Sequence, residues 1–154
     1  MSTNSIPSPT PRVKRLRVFA GPNGSGKTSI FQLLAEHVRM GHSVNADELQ
    51  RNLETSAGVT LQHFLPSLSG EDFASFYSGH PLHAHYGSPY PFVALQDGRL
   101  TLSPACDHSP KLSYATAILA DYVLTRLIEA GEDLAFEEVF SQPSLFVQRY
   151  RRVS

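Results

Sequence analysis

The sequence predicts an α/β fold in three layers, a parallel sheet with helices on both faces. Three observations predict it. An apolar run at 13–20 ends on a glycine-rich turn that opens an amphipathic helix. A second short segment, SVNAD at 43–47, ends on an acidic residue. A long amphipathic stretch from Ser113 leads into a third apolar run, DLAFEEVFS at 133–141. Strand-like runs separated by helical patterns indicate parallel βαβ units.

Residues 1–11, MSTNSIPSPTP, are mostly Ser, Thr and Pro and are expected to form a disordered lead. A single domain is expected over 12–154. In its first strand, 13–20, Leu16, Val18 and Ala20 alternate with Arg15, Arg17 and Phe19. Phe19 makes the end of the strand apolar on both faces, as in a central parallel strand. The helix that follows is expected over 27–40, with Ile30, Leu33, Leu34 and Val38 at helical spacing and Gly41 as its C-terminal cap. Residues 50–112 hold six of the eleven prolines, which argues against long regular elements. They are read as an insert, a lid or substrate-side cap. Within it, Ser69 followed by Asp72 signals a helix start. Asp97-Gly98 between two apolar runs signals a hairpin over 93–102. A helix over 113–130 carries the stripe Ala120, Val123, Leu124, Leu127 and Ile128 and stops at Gly131.

A chain of 154 residues has room for about one domain, and 41% hydrophobic with 18% charged residues is a globular composition. Thirteen basic against fourteen acidic side chains leave a net charge of -1, which argues against nucleic acid binding by bulk charge. The one cysteine, Cys106, excludes an internal disulfide and a zinc site built mainly on cysteine. No apolar run approaches the roughly 18 residues of a membrane span, and the start of the chain lacks the pattern of a secretory signal. The expectation is a cytoplasmic protein with no membrane partner.

Gly21-Pro22-Asn23-Gly24-Ser25-Gly26-Lys27-Thr28 matches G-x-x-x-x-G-K-[ST] in full, with Ser29 next in the helix. Such a turn aims backbone N–H groups at phosphate oxygens, and glycines allow the backbone to adopt it. Lys27 sets a compact positive charge against the β- and γ-phosphates. The short, hard hydroxyl of Thr28 suits Mg²⁺, and the helix that follows points its positive end at the same anion. The stretch Gly21 to Ser29 is therefore the candidate nucleotide site. A guanine-reading N-K-x-D is absent, which favours ATP.

Asp47 is expected at the carboxyl end of the second strand, where open α/β sheets bind ligands. There it could take a proton from a substrate hydroxyl, or it could cap a helix starting at Glu48. Asp47 and Lys27 are the candidate catalytic residues. Glu137 and Glu138 interrupt an apolar strand, and alternation puts them on opposite faces; Leu134 to Glu138 also resembles a Walker B end with Glu for Asp.

Taken in order, GPNGSGKTS, VNADEL and AGEDLAFEEVFSQPS resemble the zeta-toxin-like P-loop kinases over about 13–49 and 113–144. The resemblance implies ATP and Mg²⁺ as cofactors and phosphoryl transfer to a small-molecule hydroxyl, in toxins of the family the 3′-hydroxyl of a UDP-N-acetylated amino sugar. It implies Asp47 as general base and Glu137 as the substrate-binding Glu of F-E-T, with Glu138 where Thr is usual. An antitoxin protein is the implied partner. Relatives carry a further strand and phosphoryl-neutralising arginines after this point. Arg149, Arg151 and Arg152 do not match those arginines in position, so the resemblance implies a shortened member in which nucleotide binding is more secure than transfer. The alternatives are a non-catalytic nucleotide-binding remnant and an ABC-like ATPase module, the latter suggested by Leu68-Ser69-Gly70. His80, His83, His85, Cys106, Asp107 and His108 are read as loop residues rather than metal ligands, and the early and late arginines as solvated charges. Tyr77, Tyr86, Tyr90 and Phe92 are read as either a pocket lining or packing of the insert.

Overall fold

A computed structural model describes residues 14–22, 24–55, 57–87, 89–106 and 111–138. The expected lead, Asn23, Asp107, His108, Arg149, Arg151 and Arg152 lie outside the described residues. The chain is a mixed α/β structure. Strands β1 (Leu16–Ala20), β2 (His42–Val44) and β6 (Leu134–Glu138) form a parallel sheet in the order β1-β6-β2. Three further strands, β3 (Val59–Thr60), β4 (Phe92–Ala94) and β5 (Arg99–Leu102), form a separate antiparallel sheet in the order β3-β5-β4. The helices are α1 (Lys27–Ala35), α2 (Ala46–Glu54), α3 (Gly70–Ser78), α4 (Pro81–Tyr86) and α5 (Lys111–Glu129).

The parallel sheet corrects one expectation. Among the described residues β6, not β1, is central, because Leu134, Ala135 and Phe136 are all buried and can serve both faces. Leu16 and Val18 of β1 stay 42% and 45% exposed. Register pairs Val18 with Phe136 and Phe19 with Glu137. Alternation therefore sends Leu134 and Phe136 to one face, where the buried side of α5 meets them in a shared cluster. Phe19 and Glu137 go to the other, where Phe19 packs edge-on against Phe31 of α1 at 5.3 Å.

Helix α1 stops at Ala35, short of the expected end. Gly41 is not its cap. Its φ is +78°, and a Cβ there would lie 2.0 Å from the Asp133 carbonyl oxygen. The glycine lets the chain pass against Asp133, so that the His42 N–H donates to that carbonyl at 2.9 Å and β2 can start. The apolar residues at helical spacing on α1 are largely open, with Ile30 and Leu33 at 52% and 62% exposure. The second strand ends at Val44, because the side chain of the next residue, Asn45, accepts from the N–H groups of Asp47 (2.9 Å) and Glu48 (3.2 Å) and so starts a helix. Asn45 is thus the N-cap of α2, and Asp47 rides in the first helical turn rather than at a strand end.

The expected helix start at Ser69 is present as α3, where the Ser69 hydroxyl accepts from the Asp72 N–H at 3.1 Å. The hairpin is present as β4–β5, with Asp97 and Gly98 both at positive φ (63° and 66°), as its tight turn requires. Helix α5 closes on Gly131 (φ 67°). Glu132 N–H donates to Leu127 O and Gly131 N–H to Ile128 O, the doubled bond that ends helices on a left-handed glycine.

α5 joins the two sheets. Leu119, Tyr122, Val123 and Leu127 are completely buried, and the same cluster contains Leu134 and Phe136 from the parallel sheet and Phe73, Tyr77 and Phe92 from the insert. Residues 50–112 therefore share their core with α5. Tyr77, Tyr90 and Phe92 pack around Phe73 with ring centroids 5.3–6.0 Å apart, so packing accounts for these three. Arg126 of α5 fastens α3 by a two-pronged bond to Asp72 (2.9 and 2.8 Å). Among the described residues no helix is long and apolar enough to cross a membrane.

Candidate functional site

The loop between β1 and α1 turns on glycines. Gly24 and Gly26 have φ of +77° and +81°, a region that favours glycine. Gly26 is the N-cap of α1 and brings no side chain to it, and the first turn holds no acidic residue. The turn is tied by the Ser25 N–H donating to Pro22 O at 3.2 Å. Gly21 is buried, and a Cβ on it would meet Ser25 Oγ at 2.8 Å. The Lys27 ammonium lies across the loop and donates to the carbonyls of Gly21 (2.7 Å) and Pro22 (2.8 Å).

Parallel pairing brings the end of β6 beside the end of β1, and the loop leaves from that end. The first turn of α1 therefore hangs over Glu137, and the Thr28 hydroxyl donates to Glu137 Oε2 at 3.2 Å. The resemblance gave Glu137 a substrate-side role; the geometry sets its carboxylate on the hydroxyl expected to meet Mg²⁺. The side chain of Glu138 lies outside the described residues.

These groups face a cleft of about 1200 Å³. Gly24 to Thr28 form one wall, Asn45 to Glu48 with Arg51 a second, and Leu82, Tyr86, Tyr114 and Asp121 from α4 and α5 a third; Glu137 joins them. The cleft thus gathers Lys27, Thr28, Asp47 and Glu137. Gly21 lies buried behind the loop, and Pro22 and Ser29 are exposed outside the cleft walls.

Several residues of the third wall escaped sequence reasoning. His80, expected in a solvated loop, is 4% exposed and bonds Asp121 Oδ2 through Nε2 at 2.8 Å. Pro81 was the available signal, since proline is favoured in the first turn of a helix and here opens α4. Asp121 was signalled by its charge within an apolar stretch of α5. Tyr86 and Tyr114 stack at 3.8 Å with a 17° interplanar angle. The Tyr114 phenol beside it holds the Tyr86 pKa above its ordinary value. His83 packs on Tyr77 and His85 on Tyr86. Among the described residues no three His, Cys, Asp or Glu side chains cluster to hold a metal.

Comparison with family models, with curated proteins and with solved structures finds no match to this chain.

Proposed function

We propose that the cleft binds ATP with Mg²⁺ and that the chain is a small-molecule kinase of the P-loop type, resembling the zeta-toxin-like kinases. The observation that carries this reading is the Thr28–Glu137 contact beside a complete G-x-x-x-x-G-K-[ST] turn. It joins a hydroxyl and a carboxylate, both hard oxygen donors, next to the loop. That donor set fits Mg²⁺, which is usually held by one or two protein oxygens, with phosphate oxygens and water completing its shell. Bound there, Mg²⁺ would neutralise charge on the phosphate oxygens.

The chain's own residues have separate tasks. The amides of the Gly24–Gly26 turn and of the first turn of α1 receive phosphate oxygens. Lys27 exchanges its two carbonyl partners for the β- and γ-phosphates. Asp47, across the cleft on α2, takes the proton from the acceptor hydroxyl as it attacks. Phosphoryl transfer relies mainly on positioning and charge neutralisation, and these groups supply part of each. The acceptor is a small hydroxylated molecule, for which the resemblance suggests a UDP-N-acetyl sugar.

Calorimetry with ATP·Mg²⁺ tests the nucleotide site. Lys27→Ala should stay folded and bind about ten- to a hundredfold more weakly, the worth of one charge-assisted contact. Unchanged affinity would remove the assignment.

A further inference from the structure

The third wall of the cleft contains a buried histidine that the proposed chemistry does not use. His80 precedes α4, is 4% exposed, and uses both ring nitrogens. Nδ1 accepts from the Leu82 N–H at 3.1 Å, which caps the helix. Nε2 meets Asp121 Oδ2 on α5 at 2.8 Å. A nitrogen that accepts from an amide carries a lone pair, so the proton sits on Nε2 and is donated to the carboxylate. The two partners thereby assign one tautomer, neutral with Nε2–H. The ring also lies against Phe76 of α3, 5.6 Å between centroids.

Contacts along its length hold α4. At its start His80 reaches Asp121, in its middle Leu82 packs on the core cluster and His83 on Tyr77, and at its end Tyr86 stacks on Tyr114 near the start of α5. Six residues make a helix too short to persist alone. Its placement depends on those contacts. Asp121, 30% exposed, lines the same cleft as Asp47.

We infer that His80 is a positioning residue: as the Nε2–H tautomer it clamps α4 to Asp121 and so fixes the α4–α5 wall of the cleft, where an acceptor would sit. The clamp stands on the geometry alone, and only its link to the acceptor rests on the kinase reading.

Two substitutions divide the roles of the ring. The carboxamide oxygen of His80→Asn lies near Nδ1, so it can still cap Leu82 but cannot reach Asp121. The longer His80→Gln can donate to Asp121 but is a poor cap. The first readout needs no ligand. Amide exchange at Ala84 and Gly87, which donate to His80 O and His83 O, should quicken about tenfold in His80→Asn and stay near wild type in His80→Gln. The second uses ATP·Mg²⁺ with UDP-N-acetylglucosamine. His80→Asn should raise the acceptor KM about tenfold with kcat and ATP affinity little changed, and His80→Gln should restore it. The reverse ranking would make His80 a helix cap only and overturn the inference, as would two variants equal to wild type. If the wild type transfers nothing to the sugar, the kinase proposal fails, and amide exchange alone decides the clamp. Nitrogen-15 NMR of the unsubstituted protein at neutral pH gives a check free of folding effects. Nδ1 should resonate as a lone-pair nitrogen and Nε2 as a protonated one; the opposite tautomer, or an imidazolium, overturns the inference.

Discussion

Replacing Asp72 with asparagine tests how the insert is fastened to α5. The Asp72 carboxylate accepts from Arg126 Nε and Nη2 at 2.9 and 2.8 Å and from the Tyr122 hydroxyl at 2.8 Å. Asparagine keeps one acceptor oxygen, loses the charge, and turns an NH₂ toward the guanidinium. A hydrogen bond to a charged group is worth about 1.5–3 kcal/mol when shielded. Here the side chains are 43% and 30% exposed, so solvent screening reduces that contribution toward a surface pair. Tyr122 is fully buried, and its hydroxyl would keep the longer 3.4 Å contact to Ser69 O. The balance predicts a loss of about 1–2 kcal/mol and a fall in Tm of about 3–6 °C. Urea unfolding across pH adds a second signature. The Arg126 hydrogen bond, seconded by that of Tyr122, holds the Asp72 pKa below its ordinary 3.8 against the opposing effect of burial. A depressed folded-state pKa contributes stability above the unfolded value and loses it as pH falls through the folded one. The gap between wild type and Asp72→Asn should therefore be full above about pH 5 and close in more acid solution. A gap that persists unchanged to about pH 2, or one under about 0.3 kcal/mol at neutral pH, would refute this account of the α3–α5 junction.

Two further predictions concern the cleft. Asp47→Asn should leave ATP affinity within a few-fold while ADP release with UDP-N-acetylglucosamine drops about 10²–10⁴-fold. Asn45, not Asp47, caps α2, so retained turnover could not be explained by a compensating cap and would end the general-base role. Glu137→Gln should keep its contact with Thr28, since the amide oxygen still accepts. It should weaken ATP·Mg²⁺ binding about tenfold and leave metal-free ATP binding unchanged. An equal loss with and without Mg²⁺, by calorimetry, would put Glu137 elsewhere in the mechanism.

Much of the fold was legible because it depends on short-range chemistry. The glycine-rich turn, the Ser69 helix start, the Asp97-Gly98 hairpin and the glycine end of α5 each follow from backbone preferences of a few neighbouring residues. The candidate site was legible where its residues lie in one unbroken motif, Gly21 to Thr28. One error fell where a distant partner decides, and another where two nearby residues compete for one role. Gly41 looks like a helix cap in sequence, yet Asp133, far along the chain, is what requires a glycine there. Asn45 and Asp47 both suit the start of a helix, and the capping bonds choose the first.

Sequence chemistry alone was enough for the α/β alternation, the phosphate-loop pattern and the apolar stripe of α5, because each is written in periodicity or in adjacent residues. Strand order, the burial of His80 against Asp121, and the meeting of Thr28 with Glu137 came only from the folded chain. Thr28 and Glu137 are 109 positions apart, and parallel pairing of β1 with β6 is what brings them together. Register between distant strands depends on how the whole core packs, and no local preference carries that information.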